Sequence, residues 1–148
     1  MKRLFIAIVG LGFMISCKTT QNASTAQVKE QKPIEEQFVE ANIWKLTSFD
    51  GQLPDSAGFS QKTPQLVINM AENKAGGNSG CNSFGGEVVV EGNTITFDKI
   101  FSTKMYCDGV PEIEFFQMLQ QQLNFKLDNN ELQLIKDGKV LMEFKLKE

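Results

Sequence analysis

Three cysteines, Cys17, Cys81 and Cys107, are the most reactive side chains in the sequence, and they stand in unlike settings. A thiolate can serve as nucleophile, metal ligand or disulfide partner, and its neighbours decide which. The usual neighbour for the first two roles is missing, because the 148 residues contain no histidine. That excludes a Ser-His-Asp triad, a Cys-His pair and every His-ligated metal site. Carboxylate, lysine or tyrosine catalysis stays open, without the commonest general base. Asp98, Asp108, Glu112 and Glu114 could supply an acid and a base, but no pair of them sits in an apolar setting, so they read as solvated surface. No catalytic residue, metal site or cofactor is expected.

Cys17 has its own context. Lys2 and Arg3 form a positive start, and Leu4 to Ile15 is apolar apart from two glycines. This run is too short for a mature transmembrane helix and fits a signal-peptide core. It ends Met14-Ile15-Ser16-Cys17, which resembles a bacterial lipobox. Residues 1–16 are therefore expected to be a lipoprotein signal peptide, with diacylglycerol and a palmitate-type third chain on Cys17. The bland alternative is an ordinary secretory signal with an incidental cysteine. Two or more acyl chains anchor a protein stably where one is marginal. The partner expected from this end is a membrane, reached without a transmembrane helix. Lys18, rather than Asp, follows the anchor, which by resemblance to the enteric sorting rule favours the outer membrane, and the lack of an acidic cluster after it favours the side facing the periplasm.

Residues 17–41 read as the lipidated cysteine and a flexible tether. Gln, Thr, Ala, Lys and Glu dominate it, and large apolar residues are sparse before Phe38. Pro33 could open one helical turn. Without residues 1–16, 13 basic and 18 acidic side chains give a net charge of −5. A mildly acidic chain with no basic run is a poor nucleic-acid binder.

Cys81 and Cys107 lie 26 positions apart with no C-x-x-C, which argues against a thioredoxin-like pair. Two thiols without histidine are too few for a zinc site. Outside the cytoplasm, with Cys17 acylated, they read as a structural disulfide. Cys81 sits in AGGNSGCNSFGG, residues 75–86, which matches neither a dinucleotide fingerprint nor a phosphate loop. Gly76, Gly77, Gly80, Gly85 and Gly86 instead suit close backbone approach and a bent strand at a barrel corner. Asn82, Ser102 and Thr103 are expected to bond nearby backbone.

The elements that must position these residues lie in 42–148. Apolar and polar residues alternate in NIWKLTSF, QLVINM, GEVVVEG, TITFD and the last strand, where Val140, Met142, Phe144 and Leu146 share a face. Phe101–Tyr106 reads as a further short strand. Leu53–Thr63 reads as a loop. PEIEFFQMLQQQLN, residues 111–124, reads as the one helix, with Phe115, Phe116, Leu119 and Leu123 on one face. About eight short strands with short turns predict a mainly β, partly open antiparallel barrel with the helix on one mouth or side.

Several of these features occur in a telling order: Trp44-Lys45-Leu46, PQLVINM, Gly80-Cys81-Asn82-Ser83-Phe84-Gly85-Gly86, then Ser102-Thr103-Lys104-Met105-Tyr106-Cys107, and ELQL near the end. Over roughly residues 40–147 the chain resembles the META/HslJ domain family of small bacterial envelope lipoproteins. The resemblance implies a lipocalin-like barrel with one helix, no established enzymatic activity, and an association with envelope stress. It makes Trp44, Gly80, Asn82, Gly85, Gly86, Ser102 and Thr103 family-motif positions. The expected function is a non-enzymatic, lipid-anchored interaction module of the cell envelope, a monomer with a possible envelope protein partner. The alternatives are an inhibitor of an incoming hydrolase, with Leu53–Thr63 as its loop, and a carrier of a small apolar ligand.

Overall fold

The computed structural model describes Phe38 and residues 42–147. The expected signal peptide, Cys17 and the start of the tether lie outside the described residues. Eight strands follow one another: β1 (Asn42–Phe49), β2 (Gln65–Asn69), β3 (Lys74–Asn78), β4 (Ser83–Glu91), β5 (Thr94–Ser102), β6 (Gln122–Asp128), β7 (Glu131–Lys136) and β8 (Lys139–Leu146). One helix, α1 (Glu112–Leu119), lies between β5 and β6.

Each strand pairs antiparallel with its sequence neighbours, and β1 also pairs with β8, so the ring closes. Closure removes the free edges that would otherwise template aggregation. The thinnest seam is β5–β6, where only Thr94, Ile95 and Thr96 find partners. The ring is thus closed rather than partly open as expected from the sequence, and α1 enters the chain ahead of that short seam. Turn chemistry sets the β7–β8 hairpin and the tight turn after β1 that the Phe49–Gln52 bridge closes. Asp50-Gly51 has φ of 49 and 81, and Asp137-Gly138 has 50 and 79, the left-handed pair that tight hairpins need.

Strand alternation fills the interior. Trp44, Leu46, Leu66, Ile68, Ile95, Phe97, Leu123, Leu132, Leu134, Met142 and Phe144 are buried. Apart from Leu123, these are the inward faces that the period-2 pattern predicts, and burying each such side chain contributes about 1.5–3 kcal/mol. Phe38, placed in the tether on sequence, is 1 % exposed. Its ring centroid lies 6.0 Å from those of both Trp44 and Phe125. The helix covers one end of the ring through Phe115, which packs against Phe49, Phe59 and Phe84.

Three local expectations need correction. The helix stops at Leu119, not Asn124. Leu123 fits the helical spacing, but it also alternates with Phe125, and it pairs with Ile95 in β6. Phe101–Tyr106 is not a separate strand, since Phe101 and Ser102 end β5 and residues 103–107 form a loop. The glycine-rich stretch is two paired strands, β3 and β4, joined by residues 79–82, rather than one bent strand.

Gly77 shows why glycine is needed there. A Cβ at that position would lie 2.0 Å from the Gln65 carbonyl oxygen of β2. Gly77→Ala is expected to lower the unfolding free energy by about 2 kcal/mol, through backbone displacement at the β2–β3 pairing. Urea denaturation checks this, and a loss below about 0.5 kcal/mol contradicts it.

Candidate functional site

The conspicuous cluster lies where the 79–82 connection, the 103–107 loop and the start of α1 meet. Cys81 and Cys107 form a disulfide with their Cα atoms 5.9 Å apart. Beside it, Asn82 is 1 % exposed, and its side-chain amide is fully used. Its Oδ1 accepts the Thr103 hydroxyl and the Met105 N–H, each at 2.7 Å. Its Nδ2 donates to the Met105 carbonyl at 3.0 Å and to Glu112 Oε2 at 2.7 Å. A buried amide that meets all four partners fixes one arrangement, because any shift leaves a polar group unpaired.

Glu112 completes the cluster. Its Oε1 accepts the Ser79 hydroxyl in a short contact and the Asn82 N–H at 3.2 Å. Ser79 Oγ in turn accepts the Asn82 N–H at 3.0 Å. The cap residue Pro111 offers no side-chain cap to α1. Glu112 instead stands in the first turn, where negative charge suits the helix dipole, and ties that turn to the connection. Gly80 makes the fit possible. Its φ is +96, and a Cβ would come within 2.6 Å of the Phe59 ring.

The other motif positions lie outside this cluster. Trp44 is 2 % exposed and belongs to the core. Ser102 pairs with Phe84 at the end of β5. A Cβ on Gly85 would meet the Phe101 ring at 2.8 Å, so Phe101 covers the glycine across the strands, and its 72 % exposure has a structural reason. A Cβ on Gly86 would lie 2.7 Å from the Asp98 carbonyl oxygen, at the bulge where β5 carries one extra residue. In that bulge Lys99 has φ of 50. Its ammonium reaches Glu87 at 2.8 Å, and that hydrogen bond and charge raise its pKa.

The cluster therefore draws together Cys81, Asn82, Thr103 and Cys107, with Gly80 beneath, and leaves Trp44 and Ser102 outside. Sequence reasoning missed Ser79 and read Glu112 as solvated surface, whereas it is half-buried and bonded to Ser79 and Asn82. A glutamate in a first helical turn signals only a favourable dipole, and nothing local reveals a partner 30 positions earlier. Leu53–Thr63 does not project as a free loop along its length, because Phe59 within it is 1 % exposed. The 103–107 loop also presents large side chains, with Met105 60 % and Tyr106 88 % exposed, beside Leu53 at 69 % in the Leu53–Thr63 loop. Ile113, next to Glu112, is exposed as well. Among the described residues no group of three or more Cys, Asp or Glu could hold a metal ion, and no helix is long and apolar enough to cross a membrane.

Fold and cluster together define a small closed antiparallel barrel, capped by one helix and fastened at that end by a disulfide and a buried asparagine. The META domain matches residues 37–148, and the chain belongs to that family. Similar folds occur among solved structures. An NMR structure of a protein shares 22 % identity over 75 % of this chain and 92 % of its own, with a TM-score of 0.58. An NMR structure of a protein from Burkholderia xenovorans shares 20 % over 78 % and 88 %, with a TM-score of 0.56. The crystal structure of a DUF4847 family protein from Bacteroides vulgatus shares 17 % over 76 % and 95 %, with a TM-score of 0.52. At these identities the likeness concerns the fold. No curated protein sequence matches the chain.

Proposed function

We propose that this META domain protein is an exported, lipid-anchored interaction module without enzymatic activity, and that its contact element is the 103–107 loop. The observation that carries the reading is the contrast within that loop. Asn82 and the disulfide hold its backbone, while Tyr106 is 88 % exposed. Large exposed aromatic and Met side chains on rigid backbone suit protein binding, because little conformational freedom is lost on association. The lipobox-like Met14-Ile15-Ser16-Cys17 supports anchoring through Cys17, and the outer membrane facing the periplasm is the proposed place. The carrier alternative finds less support, since the barrel interior is occupied by large side chains such as Trp44, Phe97 and Phe144.

Two measurements test this reading. Radiolabelled palmitate is expected to label the wild type, and Cys17→Ser is expected to lose the label and leave the membrane fraction. Unlabelled wild type contradicts lipidation. A photo-crosslinker at position 106 is expected to yield a specific adduct in intact envelopes, whereas one at exposed Lys126 of β6 is not. Equal or absent adducts contradict the assignment of the loop.

A further inference from the structure

An extended chain turns the N–H and C=O of successive residues to opposite sides. Thr103 N–H donates to the Ser83 carbonyl at 3.0 Å. Two residues on, Met105 exchanges both of its backbone groups with the Asn82 amide, as it would with a neighbouring strand. Residues 103 and 105 thus face inward. Lys104 and Tyr106 face outward, and neither makes a backbone hydrogen bond to another described residue. Within this loop, backbone groups left unpaired at Lys104 and Tyr106 thus alternate with paired ones at Thr103 and Met105.

We infer that Thr103–Cys107 enters the cleft of a serine endoprotease as an added antiparallel strand, with Tyr106 in a primary pocket that accepts aromatic side chains, and that the domain inhibits such an enzyme. The inference rests on the reading of this loop as the contact element. Unpaired N–H and C=O groups at alternate positions select an extended polypeptide lining, because strand addition meets them with main-chain partners. Protease clefts offer that lining before the scissile bond, and chymotrypsin-type enzymes add a hydrophobic slot for the residue at the bond. Tyr106 fits that slot. Its one polar contact with a described residue is the hydroxyl hydrogen bond to Asp108 at 3.0 Å, an exposed bond that water or the pocket can replace.

The same geometry favours an inhibitor over a substrate. The peptide bond at risk joins Tyr106 to Cys107. Asn82 holds Met105 on one side of it, and the disulfide to Cys81 holds Cys107 on the other. Both new ends would stay in place after cleavage, so the product could not leave. Protease–inhibitor pairs generally associate in this preformed manner, with little backbone movement.

The test uses purified full-length oxidised protein, with chymotrypsin and trypsin as probe enzymes. One-to-one inhibition of chymotrypsin is expected, with an inhibition constant below about 1 μM. Tyr106→Gly is expected to raise that constant at least about 100-fold, as for a central anchor residue. Tyr106→Lys is expected to transfer inhibition from chymotrypsin to trypsin. Circular dichroism should show both variants folded, since Tyr106 is exposed. Absence of chymotrypsin inhibition by the folded protein overturns the inference, and so does turnover at Tyr106 with release of product. Where inhibition is absent but the adduct at position 106 persists in envelopes, the inference fails and the interaction module stands. Where both are absent, both fail.

Discussion

The double variant Cys81→Ser/Cys107→Ser is expected to lose about 3.5 kcal/mol of unfolding free energy, the chain-entropy value for a closed loop of this size. The disulfide closes 26 positions, spanning β4, β5 and the 103–107 loop. Most of that segment is already ordered by β4–β5 pairing, so the staple acts chiefly on its open end. Two consequences follow. Guanidinium titration should show a lower midpoint and a somewhat steeper slope, because the uncrosslinked denatured chain exposes more surface, with a melting temperature roughly 10 °C lower. The loss should also fall on the 103–107 loop before it reaches the hairpin. A double variant within about 0.5 kcal/mol of the wild type would mean that the hydrogen-bonded cluster alone fixes the loop.

Asn82→Ala is expected to have a comparable effect, about 3 kcal/mol. It removes four side-chain hydrogen bonds at a site 1 % exposed. Each such bond contributes about 0.5–1.5 kcal/mol net, and an orphaned buried partner adds to the loss. Glu112 is only half-buried and Met105 is exposed, so water reaches some of the freed groups and keeps the total near the lower sum. Asn82→Asp separates hydrogen bonding from shape. It retains the acceptor for Thr103 and Met105 but sets a carboxylate against Glu112 Oε2, where the amide nitrogen now lies 2.7 Å away. This variant should be less stable than Asn82→Ala at neutral pH and regain part of the loss in acid. The folded pair would hold one proton more tightly than the unfolded chain, so the stabilisation is present at low pH and disappears as pH rises. A pH-independent difference between the two variants contradicts the contact with Glu112.

Much of the barrel was legible because one face of nearly every strand is buried. Trp44 and Leu46, Leu66 and Ile68, and Leu132 and Leu134 alternate with outward residues, and period 2 admits no other element over such lengths. Leu123 misled because it satisfies two periods at once. It follows Leu119 by one helical turn and precedes Phe125 by one strand repeat, and the pairing with Ile95 decides between them. Phe38 was illegible because its polar neighbours resemble a linker, and only the space between Trp44 and Phe125 gives it a role.

The candidate site was legible in part. Two cysteines and a run of glycines mark a staple and a place of close approach, and Cys81, Cys107 and Gly80 serve those roles. The partners of Asn82 were not legible, since they come from a loop and a helix more than 20 positions away. Neither was the outward turn of Tyr106, which depends on which neighbours Met105 engages.

The central claim is that Asn82 and the disulfide fix the 103–107 loop with Met105 turned in and Lys104 and Tyr106 turned out. Amide hydrogen exchange followed residue by residue by NMR tests it directly. The account predicts slow exchange at Thr103 and Met105 and fast exchange at Lys104 and Tyr106, with the protection of Met105 lost in Asn82→Ala. Uniformly fast exchange across residues 103–106 in the oxidised wild type, or protection at Lys104 and Tyr106 instead, contradicts it.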